Sequence, residues 1–236
     1  MSFGLEMTNI CESCELRTVG VCAVLIGTPP DQKAVENRKG GVVRARRFLQ
    51  RNGDRKGSIK IIRKGWAASV EITPDGRHLT SEILVPGDAM GAAFMMESVY
   101  MRNIRAMTDV EYCSFEAGFV LPLLRARPDM LEVLLEVMGE IIRGLRGRLV
   151  DLGRRDAEER VASFIVSLHD KLERRGLLRG PLMPFPLRQK DIADALGLTT
   201  VHTNRVLRSL REAGVLTIEK KEVQIADVKK IRAMVS

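Results

Sequence analysis

No stretch of this chain approaches the ~20 consecutive apolar residues that a membrane span requires. The opening residues, MSFGLEMTNICESCE, lack the basic start and apolar core of a secretory leader. The expectation is a soluble, cytoplasmic protein with no membrane partner. Cysteine is also scarce. Four in 236 residues are too few for a disulfide scaffold, and in a reducing compartment clustered cysteines are more often metal-binding or redox-active. The three histidines, His78, His169 and His202, are scattered without a companion set. There is no P-loop, no Gly-x-Ser-x-Gly and no His-Glu-x-x-His, so nothing in the chain reads as an enzyme.

What is present begins with charge. The net charge is +8 and the pI is about 9.6, a balance that favours an acidic partner such as nucleic acid, although a basic surface also serves solubility. Residues 154–236 hold 17 Lys and Arg against 11 Asp and Glu, a net of +6, so most of the excess lies in the C-terminal third. Three of the four cysteines form Cys11-x2-Cys14-x7-Cys22, and Cys113 lies far downstream in a strand-like stretch. Four thiolates suit an iron-sulfur cluster or a structural zinc, and spacing alone does not choose between them.

Residues 28–41 are polar and breaker-rich and read as a connector. From Val42 to about Phe119, short apolar runs alternate with turn signals at Asn52-Gly53-Asp54, Lys64-Gly65, Pro74-Asp75-Gly76 and Pro86-Gly87-Asp88. Close turns between segments such as Ser58–Ile62, Ala67–Ile72 and Leu79–Leu84 predict a small antiparallel barrel or sandwich. Met90, Met95, Met96 and Met101 in this region read as core filling rather than ligands.

The periodicity then becomes helical. Leu135, Met138, Ile142, Leu145, Leu149 and Leu152 draw one apolar seam down a helix of roughly 20 residues or more, suited to a second helix or to the chain's own barrel. Gly139, Gly144 and Gly147 each cost that helix about 1 kcal/mol relative to Ala. A second helix, Asp156 to Arg175, is followed by GLLRGPLMPFP, which reads as a breaker-rich separator.

Residues 188–211, RQKDIADALGLTTVHTNRVLRSLR, read as a helix-turn-helix. Ile192, Ala193 and Leu196 face inward on the first helix. The turn is Gly197-Leu198-Thr199, and Val201, Val206, Leu207 and Leu210 are available for burial on the second. Gly214 stops that helix. Val215–Glu219, Lys220-Lys221 and Glu222–Ile225 then predict a basic hairpin, or wing.

DAEERVASFIVSL followed by DIADALGLTTVHTNRVL, behind a β-rich region with Pro-Gly-Asp and a long apolar helix, resembles the CRP/FNR family of bacterial transcription regulators over essentially the whole chain. The resemblance implies an α+β protein. Its parts would be a cysteine-rich segment (1–27), a β-roll sensor domain like those that bind cyclic nucleotides (28–127), a dimerisation helix (128–153) and a winged helix-turn-helix (154–236). It further implies a homodimer on palindromic double-stranded DNA, with RNA polymerase as a partner.

Family members that bind cyclic AMP carry Gly-Glu and Arg-Ser or Arg-Thr in the phosphate cassette. The aligned residues here are Gly91-Ala92 and Tyr100-Met101, with Arg102 and Arg105 nearby, so cyclic AMP is not expected. The FNR branch instead has three N-terminal cysteines and one in the β-roll. The resemblance thereby implies that Cys11, Cys14, Cys22 and Cys113 ligate a 4Fe-4S cluster that assembles when dioxygen is scarce, with zinc binding or a thiol redox switch as alternatives. The x7 gap is wider than the x5 gap of enteric members. Joining Cys22 to Cys113 would tie the N-terminal segment to the barrel and reposition the helix seam.

Arg205 matches the arginine that the family uses on guanine. Val201 and Asn204 replace the family's Glu and Ser, so the operator sequence is not inherited; Val201 methyls could meet a thymine methyl. Thr200, His202, Asn204 and Arg208 are further candidate contacts. Thr199 reads as an N-cap near a phosphate, and Lys220 and Lys221 as phosphate neutralisers.

Overall fold

The computed structural model describes residues 11–27, 31–55, 57–91, 97–178 and 180–235, and the statements below concern these. They form two compact units. The first holds the described residues up to Ser69 together with Ile83–Ile142, and the second holds Val70–Glu82 and Arg143 onward. The division falls between Ser69 and Val70, between Glu82 and Ile83, and between Ile142 and Arg143.

In the first unit a 3-10 turn, Glu15–Thr18, leads into α1 (Gly20–Leu25) and α2 (Gln32–Asn37). The strands β1 (Lys39–Val43), β2 (Phe48–Gln50), β3 (Ser58–Lys64), β4 (Ala67–Ile72), β5 (His78–Leu84), β6 (Ala89–Met90), β7 (Asn103–Ala106) and β8 (Val110–Glu116) then build two four-stranded sheets. Their orders are β1-β8-β3-β6 and β2-β7-β4-β5. Each anticipated turn contains a glycine with positive φ: Gly53, Gly65, Gly76 and Gly87. Asp88 completes one of them by accepting a 2.7 Å hydrogen bond from the Val85 N–H. Ile59, Ile61, Ile62, Ala67, Ala68 and Val70 are all buried, which is why these strands read as apolar runs rather than strict alternation.

Residues 31–41 are not a simple connector. Asp31 caps α2 through a 2.9 Å bond from Ala34 N–H. Lys39–Val43 pairs with β8, with Gly40 opposite Cys113. A side chain at Gly41 would place its Cβ 2.6 Å from Tyr112 Oη, so the glycine that suggested a loop instead makes room for an aromatic ring across the strand pair. Residues 28–30 lie outside the described residues.

After β8 comes α3 (Ala117–Ala126), and then α4 (Pro128–Arg154). Helix α3 falls where the strand region was expected to end; Pro122 inside it hid its helical character. At the start of α4, Met130 is buried and Val133 and Leu134 pack against the core formed by Val24, Leu25, Ile59, Phe115 and Val120. The other face carries Leu131, Leu135, Ile142, Leu145, Leu149 and Leu152, all exposed, while Met138 is half-buried.

The second unit contains α5 (Ala157–Arg174), β9 (Leu182–Pro184), α6 (Gln189–Leu196), α7 (Thr200–Glu212), β10 (Leu216–Glu219), β11 (Glu222–Ile225) and α8 (Val228–Ala233). Asp156 and Glu159 make a reciprocal capping box on α5. Helix α5 packs on α7 and α8, and Phe164 meets Phe185 edge to face at 6.5 Å. The anticipated separator 176–186 is part of this core: β9 adds to the wing in the order β10-β11-β9, with Met183 and Phe185 buried. Its prolines are tolerated because β9 is an edge strand.

Gly65 and Gly53 both have strongly positive φ, but an added Cβ at Gly65 would meet Asp109 O at 2.0 Å, whereas Gly53 has nothing within 4 Å. Gly53→Ala is therefore expected to cost about 1–2 kcal/mol from left-handed strain alone. Gly65→Ala should cost clearly more, at about 3 kcal/mol or above, because the backbone itself must move. Denaturant unfolding of both variants checks this, and equal losses would refute the clash.

Candidate cysteine centre and nucleic-acid interface

Of the three N-terminal cysteines, Cys11 lies in the turn that precedes the 3-10 segment, Cys14 is that segment's N-cap and Cys22 is on α1. Cys11 and Cys14 are joined by a turn, Cys14 N–H to Cys11 O at 3.4 Å, and Cys22 lies within α1. Cys113 sits mid-strand in β8, between Gly40 of β1 and Ile61 of β3. Cys11 and Cys22 are buried, Cys14 and Cys113 half-buried, and all four are free thiols. They gather at one place: Cys113, Cys14 and Cys11 each stand close enough to Cys22 to oppose its ionisation. Burial is the larger cause that pushes the Cys22 thiol far above its ordinary range. Burial likewise raises Cys11, while Arg38 works in the opposite direction.

This donor set fits a group that replaces thiol protons with positive charge, since ligating thiols must be deprotonated. Around one zinc ion, thiolates at 2.3 Å in a tetrahedron stand about 3.8 Å apart. Among the described residues, the one set of three or more His, Cys, Asp or Glu ligand atoms within 4.8 Å of one another is His169, Asp170 and Glu173, so no three cysteine sulfurs are that close. Four thiols on these elements can supply ligands to either a structural zinc or an iron-sulfur cluster.

The segment bearing Cys22 is more than a flexible arm. Val24, Leu25 and Ile26 are buried in the same core as Ile59, Phe115, Val120 and Met130. Val21, Val24 and Leu25 line a small apolar cavity with Val120, Leu124, Met130, Val133 and Leu134, so α1 lies directly under the inner face of α4. Arg127, just before α4, donates from Nη1 to Val24 O at 3.4 Å.

Two features here had no sequence signal. Arg38 is buried and donates from Nη1 to Cys113 Sγ at 3.5 Å. Its place in a polar stretch concealed this, and only the β1–β8 register brings it to the cysteine. Tyr100 is also buried, its hydroxyl accepting from Lys60 Nζ at 2.8 Å and donating to Ser58 O at 3.0 Å. Met101 is 44% exposed, contrary to the core role expected of it, while Met90 is fully buried. Ala92, Met95 and Met96 lie outside the described residues.

In the second unit, α6 ends at Gly197 with φ 65, and Thr199 caps α7 by accepting from His202 N–H at 3.1 Å. Val206, Leu207 and Leu210 are buried as expected, but Val201 is 81% exposed. It falls on the face of α7 shared with Asn204, Arg205 and Arg208, which 3.6-residue periodicity separates from the inward positions. Thr200 is exposed and His202 half-buried beside them. Arg208 pairs with Glu212 at 3.7 Å, both well exposed, so that bond costs little to exchange.

Lys220 and Lys221 form the tip between β10 and β11, with φ of 48 and 67. Two left-handed residues define a tight hairpin turn that normally prefers Asn-Gly, so two lysines here carry strain of order 1 kcal/mol or more each. The turn holds both ammonium groups at an exposed edge.

Residues 159–234 match the Crp-like helix-turn-helix domain, and residues 42–127 match the cyclic nucleotide-binding domain. The transcriptional activator protein FnrA of Stutzerimonas stutzeri is 25% identical over 219 residues, covering 92% of this chain and 88% of the relative. The transcriptional activatory protein AadR of Rhodopseudomonas palustris is 29% identical over 228 residues, covering 95% and 92%. The solved structure of FixK2 from Bradyrhizobium japonicum shares the fold with a TM-score of 0.75 at 20% identity, covering 84% of this chain and 98% of that one.

If the wing lysines meet phosphates, giving the turn the Asn-Gly pair it prefers, through Lys220→Asn combined with Lys221→Gly, should separate stability from binding. The double variant is expected to unfold at a higher temperature, yet to bind duplex DNA more weakly, with the slope of log K against log salt shallower by about 2. An unchanged slope would remove these lysines from the interface.

Proposed function

The chain belongs to the CRP/FNR family of transcription regulators, and from that premise we propose that it is a homodimeric regulator of palindromic promoter sites, controlled by a dioxygen- or redox-sensitive 4Fe-4S cluster. The observation that carries this reading is the placement of α1: the helix that bears Cys22 packs against the inner face of α4, whose outer face is an unburied apolar seam.

Cys11, Cys14, Cys22 and Cys113 would hold the cluster, which when bound supplies a thiolate-ligated group that dioxygen degrades. The chain's part is mechanical. Ligation by Cys22 and Cys113 fixes α1 on β8, and α1 in turn bears on Met130, Val133 and Leu134. A shift of α1 is felt by α4 because packed helices move as discrete units. Leu131, Leu135, Met138, Ile142, Leu145, Leu149 and Leu152 continue the 3,4 spacing of a two-helix seam, which a second copy of α4 would cover. RNA polymerase is the further partner that family membership suggests.

The buried Tyr100, with its hydroxyl engaged by Lys60 and Ser58, occupies a position where cyclic AMP-binding members offer a guanidinium or hydroxyl to phosphate. This supports an input other than cyclic AMP. On α7, Arg205 would read guanine through O6 and N7, and Val201 would meet a thymine methyl.

Protein purified without oxygen is expected to be brown, to contain iron and sulfide, and to bleach in air. A colourless zinc-loaded sample would favour a structural metal, and a colourless metal-free sample a thiol switch. Analytical ultracentrifugation should show a dimer that weakens on aeration, and an unchanged dimer in both conditions would end the dimerisation proposal. Ile142→Glu, placing charge mid-seam, should give a folded monomer with DNA affinity reduced at least tenfold. Gly144 and Gly147 have nothing within 4 Å of an added Cβ, so Gly144→Ala with Gly147→Ala should stabilise α4 by about 1 kcal/mol each and leave more dimer in air.

A further inference from the structure

We propose that Arg38 is the positioning residue of the four-cysteine centre, holding the Cys113 sulfur in place and offsetting the negative charge of the thiolate set. The proposal rests on the cluster reading above.

Local structure brings Arg38 there. It ends α2, with its own N–H bonded to Val35 O at 3.3 Å, and immediately precedes β1. The pairing of Lys39 with Ser114 and Gly40 with Cys113 then places the guanidinium beside the middle of β8. Arg38 is 7% exposed and its Nη1 lies 3.5 Å from Cys113 Sγ, within the reach of a hydrogen bond to sulfur.

The chemistry of the centre asks for such a cation. Four ligating thiolates, two of them on buried residues, repel one another and are poorly solvated. A guanidinium keeps its proton in any protein environment, so it supplies a fixed positive charge and a planar set of donors. Arg38 donates to the sulfur of a proposed ligand. Hydrogen bonds to ligand sulfur and nearby charge are among the means by which proteins tune such centres.

The test uses the full chain with Arg38→Met, which keeps much of the volume, and Arg38→Lys, which keeps the charge but not the fork. Each is reconstituted anaerobically with ferrous iron and sulfide. Iron and sulfide per chain, the visible absorption band, and the anaerobic rate of iron loss to a ferrous chelator are then measured, with circular dichroism as the check on folding. Arg38→Met is expected to lose iron at least tenfold faster than the parent chain and to show a shifted band, and Arg38→Lys to fall between them. Loading, band and loss rate all unchanged in Arg38→Met would overturn the proposal. Should Arg38→Met fail to fold, Arg38→Lys decides, and parent-like loss and band there overturn it. A parent chain that takes up no iron and sulfide would instead overturn the cluster reading, and the role of Arg38 with it.

Discussion

Helix α4 has two apolar faces, and the core of the first unit covers only the inner one, at the start of the helix. Met130, Val133 and Leu134 complete the core around Phe115 and Val120, while the outer leucines and Ile142 remain exposed. The inner contacts cannot be surrendered without opening that core, so the outer stripe must wait for a partner or stay wet. Recovering about 1 kcal/mol from each of seven part-exposed side chains on two helices gives roughly 14 kcal/mol. Association itself costs about 4–15 kcal/mol. The two are comparable, and such a balance suits control by a modest input.

That input would act where apolar packing and electrostatics meet. Val24 and Leu25 anchor α1 by burial, yet Cys22 on the same short helix carries a thiol whose ionisation its surroundings oppose. A bound cationic centre would reverse this opposition and hold α1 against β8. Its loss would leave the apolar anchor in place but remove the covalent tie to Cys113. The segment would therefore shift rather than detach, and a shift is what the inner face of α4 can transmit. Arg38 fits the same logic from the other side, as a fixed charge whose burial is compensated when thiolates face it.

Much of this was legible in the chain because local chemistry and tertiary structure agree. Four turn signals became four positive-φ glycines, the helix-turn-helix fell at Gly197 with Thr199 as its cap, and the 3,4 seam lies on one exposed face of α4. The errors share a different cause. Gly40-Gly41 read as a breaker because the ring of Tyr112 that needs the space is distant in sequence. Leu182–Pro184 read as a separator because its pairing with β11 is nonlocal. Val201 had two readings, burial and a thymine contact, and its exposure removes only the first; Met101 read as core because apolar character alone does not say which positions face inward. The four cysteines stand out in the sequence, and their proposed ligand role comes from the resemblance, whereas the place of Arg38 beside Cys113 emerges only from strand register.

The DNA-binding surface explains why a marginal seam would matter. One α7 helix exposes few side chains that could read bases: Arg205, with Asn204 and Val201 on the same face. A good bidentate contact contributes about 1–3 kcal/mol of discrimination, too little for one copy to find its site among many competitors. Two copies joined through α4, as proposed, would place two such helices on successive half-sites, and the second binding event would then draw on an effective concentration rather than on new contacts. Most of the specificity would thus depend on a pairing that neither DNA-binding unit makes by itself. A sensor that alters α4 by a few kcal/mol can consequently govern promoter occupancy while leaving α7 and the wing unchanged.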